Sequence, residues 1–400
     1  MRILHLATSG SGGAGIAASR LHSALVASGH ESIFLTLGQH ESRGVFKKSI
    51  YFLLRKLFTF LNKLNTRSGY IQTSAFSLNS ISLKNLDRFT PDIIHIHNWY
   101  NMLSMEGISE IANSRPTLLT LHDERIYTGA CHYSLGCDGY LRDCAGCPAV
   151  YGFRKKIIST KNKFPGLIGL SANFSVVAPS QWLLSRLDKT ALGQRVVSSA
   201  CIPNIIPISD TREVKGGRFL FKNDLQFLFA AVDPGLPTKG LDLLEEALFE
   251  IASAQPDLQL TLHIVGNPIE HQTRVKNLTF EYHGFLTHDS LGKLFRDIDL
   301  VVVPSRVDNS PSVVSEAQIS GALVLATNVG GIPELIEDSV TGFLCEPNTE
   351  SLRKSILRVI ASEQNYEISK AGQESALRRH DSNEIVTAHL SIYQKIVENG

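Results

Sequence analysis

The 400-residue chain carries short apolar runs along its whole length, at 3–7, 31–37, 92–97, 117–121 and 175–179, then at 227–232, 260–265, 280–286, 300–303 and 323–326. Near-continuous apolar runs of this kind predict parallel strands buried on both faces. Between them the apolar period lengthens to that of helices, at 16–28, 351–362 and 382–398, and in a stretch that turns Val313, Val314 and Ala317 inward and ends near Gly321. Strand, loop and helix in repetition predict an α/β fold with parallel sheets, whose ligands bind at the carboxyl ends of the strands. The length predicts two to three domains.

The densest block runs from Asp299 to Leu344. A strand at 300–303 ends at Pro304, and a polar loop follows to Ser310. Pro311 helps to start a helix, and a second strand at 323–326 runs into the Gly330-Gly331 turn. Two carboxylates sit here, Asp308 in the loop and Glu316 eight positions on in the helix. Alone, such a pair reads as a loop cap and a solvated helix residue.

Composition adds a soluble globular class, with 43% hydrophobic and 19% charged residues. The net charge of +1 supplies no field for nucleic acid. No apolar run reaches the length of a transmembrane helix. The opening MRILHLAT reads as a strand rather than a signal peptide, so a cytoplasmic protein is the expectation.

Gly10, Gly12 and Gly15 match G-x-G-x-x-G literally. A dinucleotide reading, and with it a nicotinamide dehydrogenase, requires an acid at the end of the second strand, where Glu41 is a poor substitute. The glycines otherwise make a tight turn whose exposed amides favour an anion at a helix start.

Between Glu41 and Asp87 the chain has no acid. Phe46, Ile50, Leu53, Leu54, Leu57, Phe58, Leu61 and Leu64 recur at helical spacing, with Lys47, Lys48, Arg55, Lys56 and Lys63 opposite. Such a basic amphipathic helix either lies in an anionic membrane surface or packs its apolar face on a core.

Four of the six cysteines fall in CHYSLGCDGYLRDCAGC, at Cys131, Cys137, Cys144 and Cys147. They read as ligands of one structural zinc, as disulfides or as free buried thiols. The Cys144-x2-Cys147 pair has a common zinc spacing, and a reducing cytoplasm disfavours disulfides. His132 is a substitute ligand. Cys201 and Cys345 stand alone and read as packing residues.

A Pro-Ser strand end, an acid, Asn309, Pro311, a Glu-Ala in the helix, a small-Gly helix end and a Gly-Gly-x-Pro-Glu turn occur in that order. This resembles the donor-site block of glycosyltransferase family 4, the retaining GT-B enzymes, with Asp308 in place of the usual first Glu. The resemblance implies two Rossmann-like domains facing a cleft. An acceptor domain would span 1–204, ending at the Ile202-Pro203-Asn204 turn. A nucleotide-sugar domain would span 205–381, and a last helix at 382–400 would cross back. It implies transfer from a UDP- or GDP-sugar to a glycan or lipid-linked acceptor in polysaccharide biosynthesis. It also implies site residues. His122, Lys239, Asp308 and Glu316 would do the chemistry. Gly13, Gly15, Gly266, Gly284, Phe285, Arg306, Asn309, Ser310, Pro311 and Ser312 would hold the donor. No catalytic metal is implied, so the leaving diphosphate would rely on Lys239, amides and a helix dipole. One departure stands out: the family's Arg shortly before Lys239 is missing, Pro234, Gly235 and Thr238 filling the candidate positions, and Arg306 is the available replacement. That departure also fits an inactive member that binds sugar nucleotides or glycans as a scaffold.

Overall fold

A computed structural model describes residues 1–40, 45–66, 86, 89–128, 130–152, 154–163, 174–208, 223–268 and 275–399. The chain divides into two compact units, Met1–Ile205 with Ser382–Gly400, and Ile206–Asp381. Each is built on a parallel sheet whose central strands are largely apolar runs, returned to the same edge by crossovers.

In the first unit the strands are β1 (Arg2–Ala7), β2 (Glu31–Thr36), β3 (Ile93–Ile96), β4 (Thr117–Thr120), β5 (Phe174–Ala178) and β6 (Ser199–Cys201). They lie in the order β2-β1-β3-β4-β5-β6. Strand order reverses between β1 and β3, which makes the carboxyl ends of those strands the expected ligand crevice. Thr8 after β1 pins the β3 loop there, its Oγ1 donating to Asn98 O at 2.8 Å. On one face, Ile3, Leu21, Leu25, Ile93, Leu118 and Val177 pack with Ile385, Val386, Tyr393 and Ile396 of the last helix, Ser382–Asn399.

The second unit holds β7 (Asp224–Ala230), β8 (Gln259–Val265), β9 (Leu278–Gly284), β10 (Leu300–Val303), β11 (Val324–Thr327) and β12 (Phe343–Cys345). Their order is β12-β11-β10-β7-β8-β9, with the reversal between β7 and β10. Two apolar clusters fill the two faces, one around Phe227, Leu248 and Leu260, the other around Leu228, Val301 and Val314.

Two helices start earlier than the apolar period alone places them. The first begins at Gly12, so the glycines belong to its opening turn rather than to a separate loop. The helix Thr349–Ile360 begins where Asn348 accepts the Ser351 amide at 2.9 Å. After the Gly330-Gly331 turn comes a single 3-10 turn, Ile332–Glu334. Pro333 starts that turn, but the chain must bend again at 338–342 to reach β12. Residues 209–222 lie outside the described residues, as do Glu41 and Asp87.

Candidate donor site in the second unit

The loops that follow β7 and β10 meet at the reversal point. The β7 loop ends in a 3-10 turn, Pro237–Lys239, before the helix Leu241–Ala254. Gly240 takes φ +72° between them, and a Cβ there would lie 1.9 Å from Pro304 O. Only glycine allows the helix start to come this close to the end of β10. The Arg306 amide then donates to Thr238 O at 2.8 Å, tying the two loops together.

This closeness puts Lys239 Nζ 2.6 Å from Asp308 Oδ2, although the residues are 69 apart in sequence. Asp308 is 7% exposed and held on three sides. Its Oδ1 accepts the Asn309 amide at 2.9 Å. Its main-chain oxygen accepts the Gly331 amide at 3.1 Å. Gly330, at φ +60°, has no room for a Cβ, which would sit 1.8 Å from that same oxygen. The Gly-Gly turn is thus a seat for Asp308.

Glu316 is buried in the helix Ser312–Ile319, with His288 Nδ1 4.0 Å from its Oε1. Asn309 and Pro311 are buried and Ser310 and Ser312 half-buried beside it. Gly266 and Gly284 join at the ends of β8 and β9, the Gly266 amide donating to Gly284 O at 2.9 Å. Phe285 next to them is 66% exposed, a ring with little packing of its own.

Arg306 does not point its charge at Lys239 and Asp308. Its guanidinium pairs with Asp242 and donates to Pro237 O. The hydrogen bonds from Arg306 hold the Asp242 carboxyl below its usual range.

In the first unit, Gly15 lies against Ser9 O, where a Cβ would be 2.3 Å away, while Gly13 is exposed at the helix start. His122 follows β4, and burial pushes its imidazole down to about 4, against the pull of Asp123. It therefore acts as a neutral ring near neutral pH. His97 borders the same small pockets as His122.

This unit also holds a buried histidine stack with little signature in the sequence. His5 Nδ1 lies 3.0 Å from His97 Nε2. His95 bridges the Tyr393 hydroxyl and Thr120 Oγ1, both at 2.7 Å. The only signal was the HIH repeat at 95–97 on one strand face. Glu124, 1% exposed and equally unmarked in the sequence, accepts from Arg186, from the Ser134 amide and from the Tyr127 hydroxyl.

The helix Val45–Asn65 exposes an apolar stripe. Phe52, Leu53, Leu57, Phe60 and Leu64 are between 47% and 64% exposed. Lys56 lies over the Phe52 ring at 4.6 Å. Its opposite side is the packed one: Asn62 is buried and donates to the Tyr100 hydroxyl at 2.8 Å. The side chains of Phe46, Lys47, Lys48 and Ile50 lie outside the described residues. No described helix is long and apolar enough to cross a membrane.

Two parallel sheets with helices, each with its own crevice, make up the GT-B fold of glycosyltransferases. Solved structures agree along the whole chain. Sucrose-phosphate synthase from Thermosynechococcus elongatus superposes with a TM-score of 0.66 at 17% identity, covering 100% of both chains. HepE of Anabaena, solved with UDP-glucose, gives 0.58 at 20% identity over 98% of this chain and 99% of that one. The family model for "Glycosyl transferases group 1" matches residues 224–362, which hold the Lys239–Asp308 pair and Glu316. Residues 224–362 are thus similar to that group of glycosyltransferases, and the fold along the chain is that of GT-B enzymes. Among curated relatives, the lipopolysaccharide 1,2-N-acetylglucosaminetransferase of Salmonella typhimurium is 28% identical over 36% of this chain. The putative colanic acid biosynthesis glycosyl transferase WcaC of Escherichia coli is 26% identical over 62% of it. The matched stretches span 42% and 63% of those relatives' own lengths.

Proposed function

We propose that the protein moves a sugar from a UDP- or GDP-sugar to a glycan or lipid-linked sugar acceptor, with retention at the anomeric carbon, in surface polysaccharide biosynthesis. The observation that carries this reading is the Lys239–Asp308 pair at the reversal point of the second sheet. A nucleoside diphosphate gains negative charge as its bond to the sugar breaks. A fixed cation there stabilises the transition state more than the ground state. Asp308 holds the Lys239 ammonium in place, and the opening amides of the helix Leu241–Ala254 add their dipole.

In this reading Glu316 accepts hydrogen bonds from the ribose hydroxyls, and the main chain at 309–312 holds the donor sugar. Gly266, Gly284 and Phe285 border the base. The first unit takes the acceptor. There the neutral His122 orients the reacting groups by hydrogen bonding, and Gly13 and Gly15 let the main chain approach a phosphate. The UDP-glucose bound to HepE makes UDP-sugars the first donors to test. The exposed stripe of the helix Val45–Asn65 supports contact with an anionic membrane surface, where a lipid-linked acceptor would reside.

A panel of labelled nucleotide sugars tests the reading. Hydrolysis or transfer of at least one donor, lost in Lys239→Ala, is expected. A second reading, a binding scaffold without turnover, is favoured by Arg306, which is held by Asp242. Donor binding with no hydrolysis or transfer for any acceptor would establish the scaffold.

A further inference from the structure

The loop after His122 has little regular structure to hold it. Between the short helical turn Arg125–Thr128 and the helix Arg154–Lys163, the described residues form only one 3-10 turn, Gly139–Leu141. Irregular stretches of more than about 12–15 residues in a compact domain call for another source of order. The Glu124–Arg186 pair clamps the near end, with Arg186 Nη2 donating to Ser134 Oγ at 2.6 Å. Leu135 and Leu141 beyond it are exposed rather than packed.

All four cysteines of this loop line one cavity of about 280 Å³. The main chain is arranged around their sulfurs. The Gly139 amide donates to Cys137 Sγ at 3.4 Å. The amides of Ala149 and Val150 donate to the Cys147 sulfur. Each donor lies two or three residues after its cysteine. Gly139 lies against two sulfurs at once, since a Cβ there would be 3.3 Å from Cys137 Sγ and 4.0 Å from Cys144 Sγ. Cys144 adopts φ +55°, which is costly for a residue with a Cβ, and its amide bonds to Gly139 O at 3.0 Å. His132, the alternative ligand, has Nε2 3.4 Å from Asp123 Oδ2.

We propose that Cys131, Cys137, Cys144 and Cys147 bind one zinc ion that folds this loop. Each thiol loses its proton on ligation, and four thiolates close a tetrahedral shell with no position for water, so the role is structural. No three of the four sulfurs lie within 4.8 Å of one another. Metal binding of this kind is itself folding free energy. The inference does not depend on the donor site.

The test uses the full chain purified without a metal-affinity tag. Elemental analysis is expected to give about one zinc per chain. Mercurial titration of the cysteines should release it, and chelation should lower the melting temperature. Cys144→Ser with Cys147→Ser should lose the metal. Should that variant not fold, cobalt added to chelator-stripped parent protein should give the charge-transfer and ligand-field bands of a tetrahedral thiolate site. Zinc-free protein with four titratable thiols, a mass lower by two disulfides, or cobalt without thiolate bands would each overturn the proposal.

Discussion

Arg306 meets Asp242 at two points, Nη1 to Oδ1 at 2.7 Å and Nη2 to Oδ2 at 2.6 Å. Its charge is already neutralised by the first turn of the helix that follows Lys239. A pair this exposed contributes only about 0–1 kcal/mol to stability. Lys239 is paired as well, with Asp308 at 2.6 Å, and under the proposed function it is this pair, at the reversal point of the sheet, that meets the diphosphate. Arg306→Ala is expected to change donor turnover by no more than about fivefold, whereas losing a transition-state cation costs about a hundredfold. Steady-state kinetics of the two alanine variants would check this. A collapse of turnover in Arg306→Ala would show that the Asp242 pair opens to serve the donor.

Glu316→Gln should keep the fold and weaken donor binding. Glu316 is buried within a helix whose shape glutamine preserves. Losing a charge-assisted hydrogen bond costs roughly 1.5–3 kcal/mol, read as a rise in donor Kd by calorimetry. Unchanged affinity would remove Glu316 from the site.

The histidine stack makes the first unit acid-sensitive. Burial lowers His5 to about 3, His122 and His389 to about 4, and His95 and His97 well below 6.5. The unfolded chain, with ordinary histidines, binds more protons in that window. Their stabilising contribution is therefore present above pH 6.5 and lost as pH falls. Each such group costs about 2 kcal/mol at pH 5. Denaturant midpoints measured from pH 7.5 down to 5 should fall steeply, and a flat profile would contradict the buried neutral rings.

Much of this was legible in the chain. Parallel strands follow from apolar runs, since a strand covered on both faces has few polar positions. The Asp308–Glu316 block was readable because its prolines and glycines fix a strand–turn–helix order locally. Long-range partners were not. Nothing near Lys239 tells that its ammonium meets Asp308, and Glu124 gives no hint of Arg186, 62 residues on. Such pairs depend on which loops the sheet order brings together. His5 likewise becomes part of a stack only through the β1–β3 register that sets it beside His95.

The exposed stripe on the helix Val45–Asn65 is expected to carry membrane contact. Flotation should recover the parent protein with anionic vesicles more than with neutral ones. Leu57→Glu with Phe60→Glu should abolish recovery, because both side chains are exposed and their loss opens no cavity. Equal, weak recovery of parent and variant would leave the stripe without a membrane role.

In the proposed function Lys239, held by Asp308, serves the leaving diphosphate of a nucleotide sugar. The most direct measurement compares hydrolysis of labelled UDP- and GDP-sugars by the parent and by Lys239→Ala, with melting temperatures recorded for both. Turnover of at least one donor by the parent is expected, with a loss of about a hundredfold or more in the variant at little change in stability. A variant as active as the parent, or a parent that binds no nucleotide sugar at all, would contradict it.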